Sequence, residues 1–148
     1  MINTFVCSIF DSGCDAFVNP VNCVGVMGTG LAKQFKNRFP KTFIFYRDLC
    51  EKKILEPGNV YVIDSYEQHP KKIYLATTKY HWKDNSSIFY VRNILKRMLE
   101  IEDEYTDINS VAVPMLGAGL GKLDYNVVKY EILTTLVHGK IKYVLCER

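Results

Sequence analysis

The chain has 148 residues, 48% of them hydrophobic and 24% charged, with a formal net charge of +3. That length suits one domain, spanning residues 1–148 and burying about two-thirds of its unfolded surface, and the near-neutral charge argues against a general nucleic-acid coat while leaving room for a local basic patch. Five cysteines, odd in number, scattered and without a C-x-x-C pair, argue against a disulfide framework or a zinc ribbon and fit reduced thiols in a cytoplasmic protein. The opening MINTFVCSIFDSG lacks a basic region followed by a long apolar run, so no signal peptide is expected, and no apolar stretch nears the roughly 18 residues of a membrane span.

Apolar runs and amphipathic stretches alternate along the chain. Strands are expected over 4–10 and 16–21. A helix over 30–38 is broken at Phe39-Pro40, and a second helix over 41–53 runs to the turn EPGN. Strands follow at 59–63 and 73–78. A helix over 86–101 then places Ile88, Val91, Leu95 and Met98 on one stripe, with Asp84 or Asn85 as its N-cap. A strand over 111–116, a helix over 123–137 and a strand over 142–146 complete the order. Most strands are apolar nearly throughout, as strands covered on both faces are. The interleaving implies an α/β fold: a three-layer α/β/α sandwich around a mixed, mainly parallel six-stranded sheet.

Two glycine-rich loops each follow a strand and precede a helix. The first, GVMGTG at 25–30, is neither a dinucleotide fingerprint nor a P-loop, because its glycines run G-x-x-G-x-G and no G-x-x-x-x-G-K-[ST] can be matched. Alone it reads equally as a tight strand-to-helix turn. The second, within VAVPMLGAGLGKLD at 111–124, carries Gly117, Gly119 and Gly121. Both loops would lie at the carboxyl edge of one sheet, where open α/β folds bind their ligands. Backbone N–H groups and two helix N-termini facing each other suit a diphosphate.

Other residues admit two readings each. Asn22 stands where the strand opens into the first loop; its amide can hold a sugar hydroxyl, or it can form an Asx-turn that ends the strand. Asn19, followed by Pro20, reads more readily as a turn residue. Lys79 in TTKYHWK is either a solvated lysine at a strand end or a nucleophile whose amine is kept neutral by Tyr80 and Trp82 and by the charges of His81 and Lys83. His81, Trp82 and Lys83 form either an acceptor platform, which Arg92, Lys96 and Arg97 would extend, or the edge of the core. Cys23 reads as a small buried thiol. No His, Asp or Glu spacing points to a metal, and no metal or cofactor is expected.

Three stretches, AFVNPVNCVGVMGTGLAKQFKNRFP, IYLATTKYHW and VAVPMLGAGLGKLDY, together resemble the macro domain family of ADP-ribose-binding α/β/α modules. VGVMGTGLAKQFK followed by TTKYHW most resembles the branch of DNA ADP-ribosyl glycohydrolase antitoxins and terminal ADP-ribose glycohydrolases. The resemblance implies ligand contacts at Ile9 and Asn19. It implies further contacts along Gly25, Val26, Met27, Gly28, Thr29 and Gly30, and along Leu116, Gly117, Ala118, Gly119, Leu120 and Gly121. Asn22 would hold the distal ribose, and Lys79 would attack its anomeric carbon and pass through a Schiff-base-like intermediate. The implied partner is ADP-ribose, free or carried on thymine in single-stranded DNA or on a protein carboxylate, and a monomer is expected.

Three departures accompany the resemblance. Many members read G-D-I where this chain reads Cys7-Ser8-Ile9, so adenine recognition is expected to be weaker or rebuilt. The Asp of G-G-V-D-type loops has no counterpart in Gly30-Leu31-Ala32. The acidic partner in the second loop of the human enzyme falls at Gly121, leaving Asp124 as the nearest candidate. The alternatives are a reader that binds ADP-ribose without cleaving it, and a phosphatase acting on ADP-ribose 1″-phosphate. A role in bacterial or phage conflict follows from the family branch alone.

Overall fold

The computed structural model describes residues 1–147. It contains strands β1 (Ile2–Val6), β2 (Ala16–Val21), β3 (Val60–Asp64), β4 (Lys72–Thr77), β5 (Ser110–Val113) and β6 (Lys142–Glu147). The helices are α1 (Gly30–Arg38), α2 (Pro40–Glu51), α3 (Ile88–Glu100) and α4 (Tyr125–Leu136). One six-stranded sheet has the order β1-β6-β5-β2-β4-β3. All its pairings are parallel except β3 with β4. This is the three-layer architecture the alternation implies.

Period-two alternation sorts the strand residues between two cores. Ala16, Val18, Tyr74, Ala76, Val111, Val113, Tyr143 and Leu145 pack with Val91, Ile94, Leu95, Met98, Val128 and Ile132 of α3 and α4. Phe17, Val21, Ile73, Leu75, Ala112 and Val144 pack with Phe35, Phe39 and Tyr46 on the α1–α2 side. Burying a side chain such as Leu95 or Phe35 completely stabilises the fold by about 1.5–3 kcal/mol each. The predicted α3 stripe is buried at Val91, Leu95 and Met98, and Ile88 packs against the same core.

Several boundaries differ from expectation. The first strand ends at Val6, and Ile9–Asp11 forms a 3-10 turn that Ser8 caps, its Oγ accepting from Phe10 N–H at 3.3 Å. β1 is an edge strand paired only with β6, so four of its five residues are exposed rather than covered on both faces. The cap of α3 is Ser87, whose Oγ accepts from Phe89 N–H, and neither Asp84 nor Asn85 serves there. Pro114 cannot donate to a ladder, and β5 stops one residue before it.

Candidate functional site

The adjacent strands β5, β2 and β4 run parallel, so the segments 22–29, 78–87 and 114–124 leave the sheet at one edge. The segment after β2 leads to α1 on one face, while that after β5 leads to α4 on the other. A crevice opens where the two diverge, as expected at a switch in strand order. The resulting cleft has a volume of about 740 Å³ and is lined by both glycine loops together with Lys79, Trp82 and Lys83. Over it the loops nearly touch: a Cβ added to Gly30 would lie 3.3 Å from Leu120 Cδ1. Gly30 has φ +60°, a conformation that favours glycine.

The first loop is held by Asn22 and a tyrosine 24 residues away. Asn22 Oδ1 accepts from Val24 N–H at 3.0 Å and from the Tyr46 hydroxyl at 2.7 Å, and its Nδ2 donates to the Val26 carbonyl at 2.8 Å. Tyr46 is fully buried, and burial pushes its hydroxyl pKa far up, so it remains a donor. Asn22 is thus the Asx-turn residue of the loop; it also lines the cleft, with its second amide hydrogen uncommitted. Val26, Met27, Gly28 and Thr29 line the cleft as well, whereas Gly25 packs near Arg47 and Cys50. Thr29 is the N-cap of α1 and makes no side-chain cap bond, so the first N–H groups of the helix have no partner from it. Asn19 stands apart from the cleft wall; its buried amide meets Met27 Sδ at 3.9 Å.

The second loop is anchored by Ser86. Its Oγ donates to the Thr78 carbonyl at 2.6 Å and its N–H to the Gly121 carbonyl at 2.9 Å. Gly117 and Gly121 pack against it: added Cβ atoms would stand 2.9 Å from Ser86 Oγ and 2.8 Å from Ser86 Cβ. Those two glycines close the loop, while Gly119 has nothing within 4 Å of its Cβ position and leaves the cleft open. Leu116 is fully buried in the core beneath. Asp124 caps α4, its Oδ1 accepting from Val127 N–H at 3.0 Å.

Lys79 lies between these loops. Past the end of the β2–β4 ladder, Thr78 N–H still donates to the Val21 carbonyl at 3.0 Å and Cys23 N–H to the Tyr80 carbonyl at 2.7 Å. This register sets Lys79 beside the first loop. Its half-buried side chain donates from Nζ to the Trp82 carbonyl at 3.1 Å. Burial holds the Lys79 pKa below the ordinary lysine value and the positive charge of Lys122 adds to this, while the Asp84 carboxylate opposes it. Asp84, rather than Asp124, is therefore the carboxylate whose charge bears on this amine. Asp84 Oδ2 accepts from His81 N–H at 2.9 Å, and His81 Nδ1 accepts from Lys83 N–H at 3.1 Å. Cys23 is buried and burial pushes its thiol pKa up to about 12, which fits an inert core thiol.

A second cavity of about 640 Å³ adjoins the first, sharing Leu31, Pro114, Met115 and Gly119 with it. Ile9 and Ala118 line this cavity, beside Ser8 and Tyr125. A ligand occupying both cavities would therefore pass between the two loops. Sequence reasoning missed Lys122 and Met115 as lining residues and Ser86 as the anchor. Lys122 had a legible signal, a basic residue directly after the last glycine of the loop. A serine inside a polar run carries none, because its partners lie 8 and 35 residues away in the chain.

The family model described as the Macro domain matches residues 18–130. A DNA ADP-ribosyl glycohydrolase of Mycobacterium tuberculosis is 40% identical over 121 residues, covering 81% of this chain and 34% of that protein. The chain thus spans about a third of the length of such curated glycohydrolase relatives. Among solved structures, the macrodomain of Mycobacterium tuberculosis DarG superposes with a TM-score of 0.93 at 34% identity, over 99% of this chain and 97% of that one. Thermosipho africanus DarTG in complex with ADP-ribose superposes with a TM-score of 0.93 at 31% identity, over 99% of this chain and 41% of that one. With its two glycine loops facing across one crevice of a mixed α/β/α sandwich, the chain belongs to the macro domain family.

Proposed function

We propose that this macro domain binds ADP-ribose and acts as an ADP-ribosyl glycohydrolase, releasing ADP-ribose from thymine in single-stranded DNA with Lys79 as nucleophile. The carrying observation is the placement of Lys79: half-buried between the glycine loops, with burial favouring the neutral amine. The relatives named DNA ADP-ribosyl glycohydrolases support the reaction class, and the relative solved with ADP-ribose supports the ligand.

In this reading the diphosphate lies between the two loops, against the backbone of Gly28–Gly30 and Gly119, near the N-terminus of α1. The uncommitted N–H of Asn22 addresses the distal ribose. The neutral Lys79 amine bonds to the anomeric carbon as the carbon–nitrogen bond to the base breaks; the base leaves with that electron pair and takes up a proton from solvent. The new ammonium loses a proton, the bond from the anomeric carbon to the ring oxygen breaks, that oxygen takes up a proton to become a hydroxyl, and a protonated imine remains on Nζ. Water then adds to the anomeric carbon and passes a proton to Nζ, the carbon–Nζ bond breaks to leave the aldehyde with Lys79 restored, and the freed hydroxyl recloses the ring of the departing ADP-ribose.

Two observations favour a second reading, a non-cleaving ADP-ribose reader: among the described residues Lys79 forms no ion pair, and Asp124 is engaged in the α4 cap. A single-stranded oligonucleotide carrying ADP-ribose on thymine, incubated with wild type and Lys79→Ala, separates the readings. Release of free ADP-ribose by the wild type alone is expected. Tight ADP-ribose binding with no release identifies a reader, and phosphate release from ADP-ribose 1″-phosphate a phosphatase.

A further inference from the structure

The turn that carries Lys79 also presents an aromatic surface at the mouth of the cleft. Trp82 lines the cleft yet is 48% exposed. Its ring lies 5.3 Å from that of His81 at a 32° tilt, and Lys83 Nζ stands 5.1 Å from its centroid. With only an exposed lysine over it, the indole is about half open to solvent. A surface cation–π contact is weaker than base–aromatic stacking, so a nucleobase can displace that lysine. Lys79, Lys83 and Lys122 line the same cleft as this ring. The nearby acid, Asp84, is engaged with His81 N–H.

We infer that Trp82 is the stacking platform for the nucleobase that carries ADP-ribose, with Lys83 and Lys122 receiving the flanking phosphates of a single strand. The inference rests on the proposed glycohydrolase reading. The acceptor base is one bond from the carbon that Lys79 attacks, and Lys79 Nζ lies 3.1 Å from the Trp82 carbonyl. The base must therefore emerge at this rim. A duplex base could not reach the ring without leaving its stack, whereas a single-stranded base is already free to do so. Lys83 and Lys122 make part of the platform electrostatic, which a carboxylate-linked protein acceptor would not use.

Trp82 is the only tryptophan in the chain, so its emission reports the platform directly. Titrating a short unmodified oligothymidylate into the protein should quench it saturably. Lys83→Gln should reduce the salt dependence of that binding by roughly one unit of log–log slope. With an ADP-ribosylated thymine oligonucleotide and the matching ADP-ribosylated nucleoside as substrates, Trp82→Ala should raise KM for both by about tenfold, because both carry the stacked base, while affinity for free ADP-ribose, which carries no acceptor base, changes much less. Trp82→Phe should restore most of the difference. An oligouridylate arm tests whether the platform distinguishes RNA from DNA; base stacking predicts that it does so weakly.

Emission that neither unmodified nor ADP-ribosylated oligonucleotide alters overturns the platform, whether or not ADP-ribose is released. An equal loss of affinity for free ADP-ribose in Trp82→Ala also overturns it, as does preferred cleavage of a carboxylate-linked peptide. Quenching without release leaves the platform standing and removes the glycohydrolase reading instead.

Discussion

The backbone N–H of Ser86 donates to the carbonyl of Gly121 at 2.9 Å, joining the turn after β4 to the second glycine loop. The same serine holds the Thr78 carbonyl through its hydroxyl, so the segment carrying Lys79 and the loop facing it share one buried polar anchor.

Substitutions around that anchor should separate closing glycines from open ones. Gly121→Ala would drive a Cβ to 2.5 Å from the Gly117 carbonyl oxygen, a backbone atom that cannot yield, and should destabilise by about 1–3 kcal/mol. Ser86→Ala would strand the Thr78 carbonyl and should lower stability by a similar amount, about 1–3 kcal/mol. Gly119→Ala meets nothing within 4 Å and should stay within about 0.5 kcal/mol of wild type. Urea unfolding of the three variants checks the ordering.

The first loop has its own anchor in Tyr46. The hydroxyl stands 2.9 Å from the Asn22 carbonyl and 2.7 Å from Oδ1, so Tyr46→Phe leaves buried acceptors short of a donor. The variant should lose about 1–2 kcal/mol of stability. Faster amide exchange at Val24 and weaker ADP-ribose binding should accompany it, because Val24 N–H and the loop turn depend on the same amide oxygen.

Release should depend on pH through Lys79. A nucleophilic lysine acts when neutral, and burial lowers its pKa, with the Lys122 charge assisting. The rate at saturating substrate should therefore rise with pH and level off below the range of an ordinary lysine. Lys122→Gln should move the rise to higher pH by removing a like charge. Lys79→Arg, which keeps the charge and cannot titrate, should be inactive at every pH. A pH–rate profile of the three proteins measures this.

Much of the molecule could be read before any coordinate was known. Strands and helices write their periods into contiguous residues, so the alternation gave the layered sheet, and two strand–glycine–helix units marked where its ligand edge would lie. The position of Lys79 directly after a strand was equally local. Tertiary structure alone decided how the buried polar atoms are paired. Asn22 is tied to Tyr46 across 24 residues, Ser86 to Gly121 across 35, and Asp124 turns inward to its own helix rather than toward Lys79. It also decided that β1, apolar to read, lies on an edge and stops at Val6. Periodicity reports which face a residue shows; the partner of a buried hydrogen-bonding group is set by whichever distant segment the folded chain brings within 3 Å, and no local pattern encodes that distance.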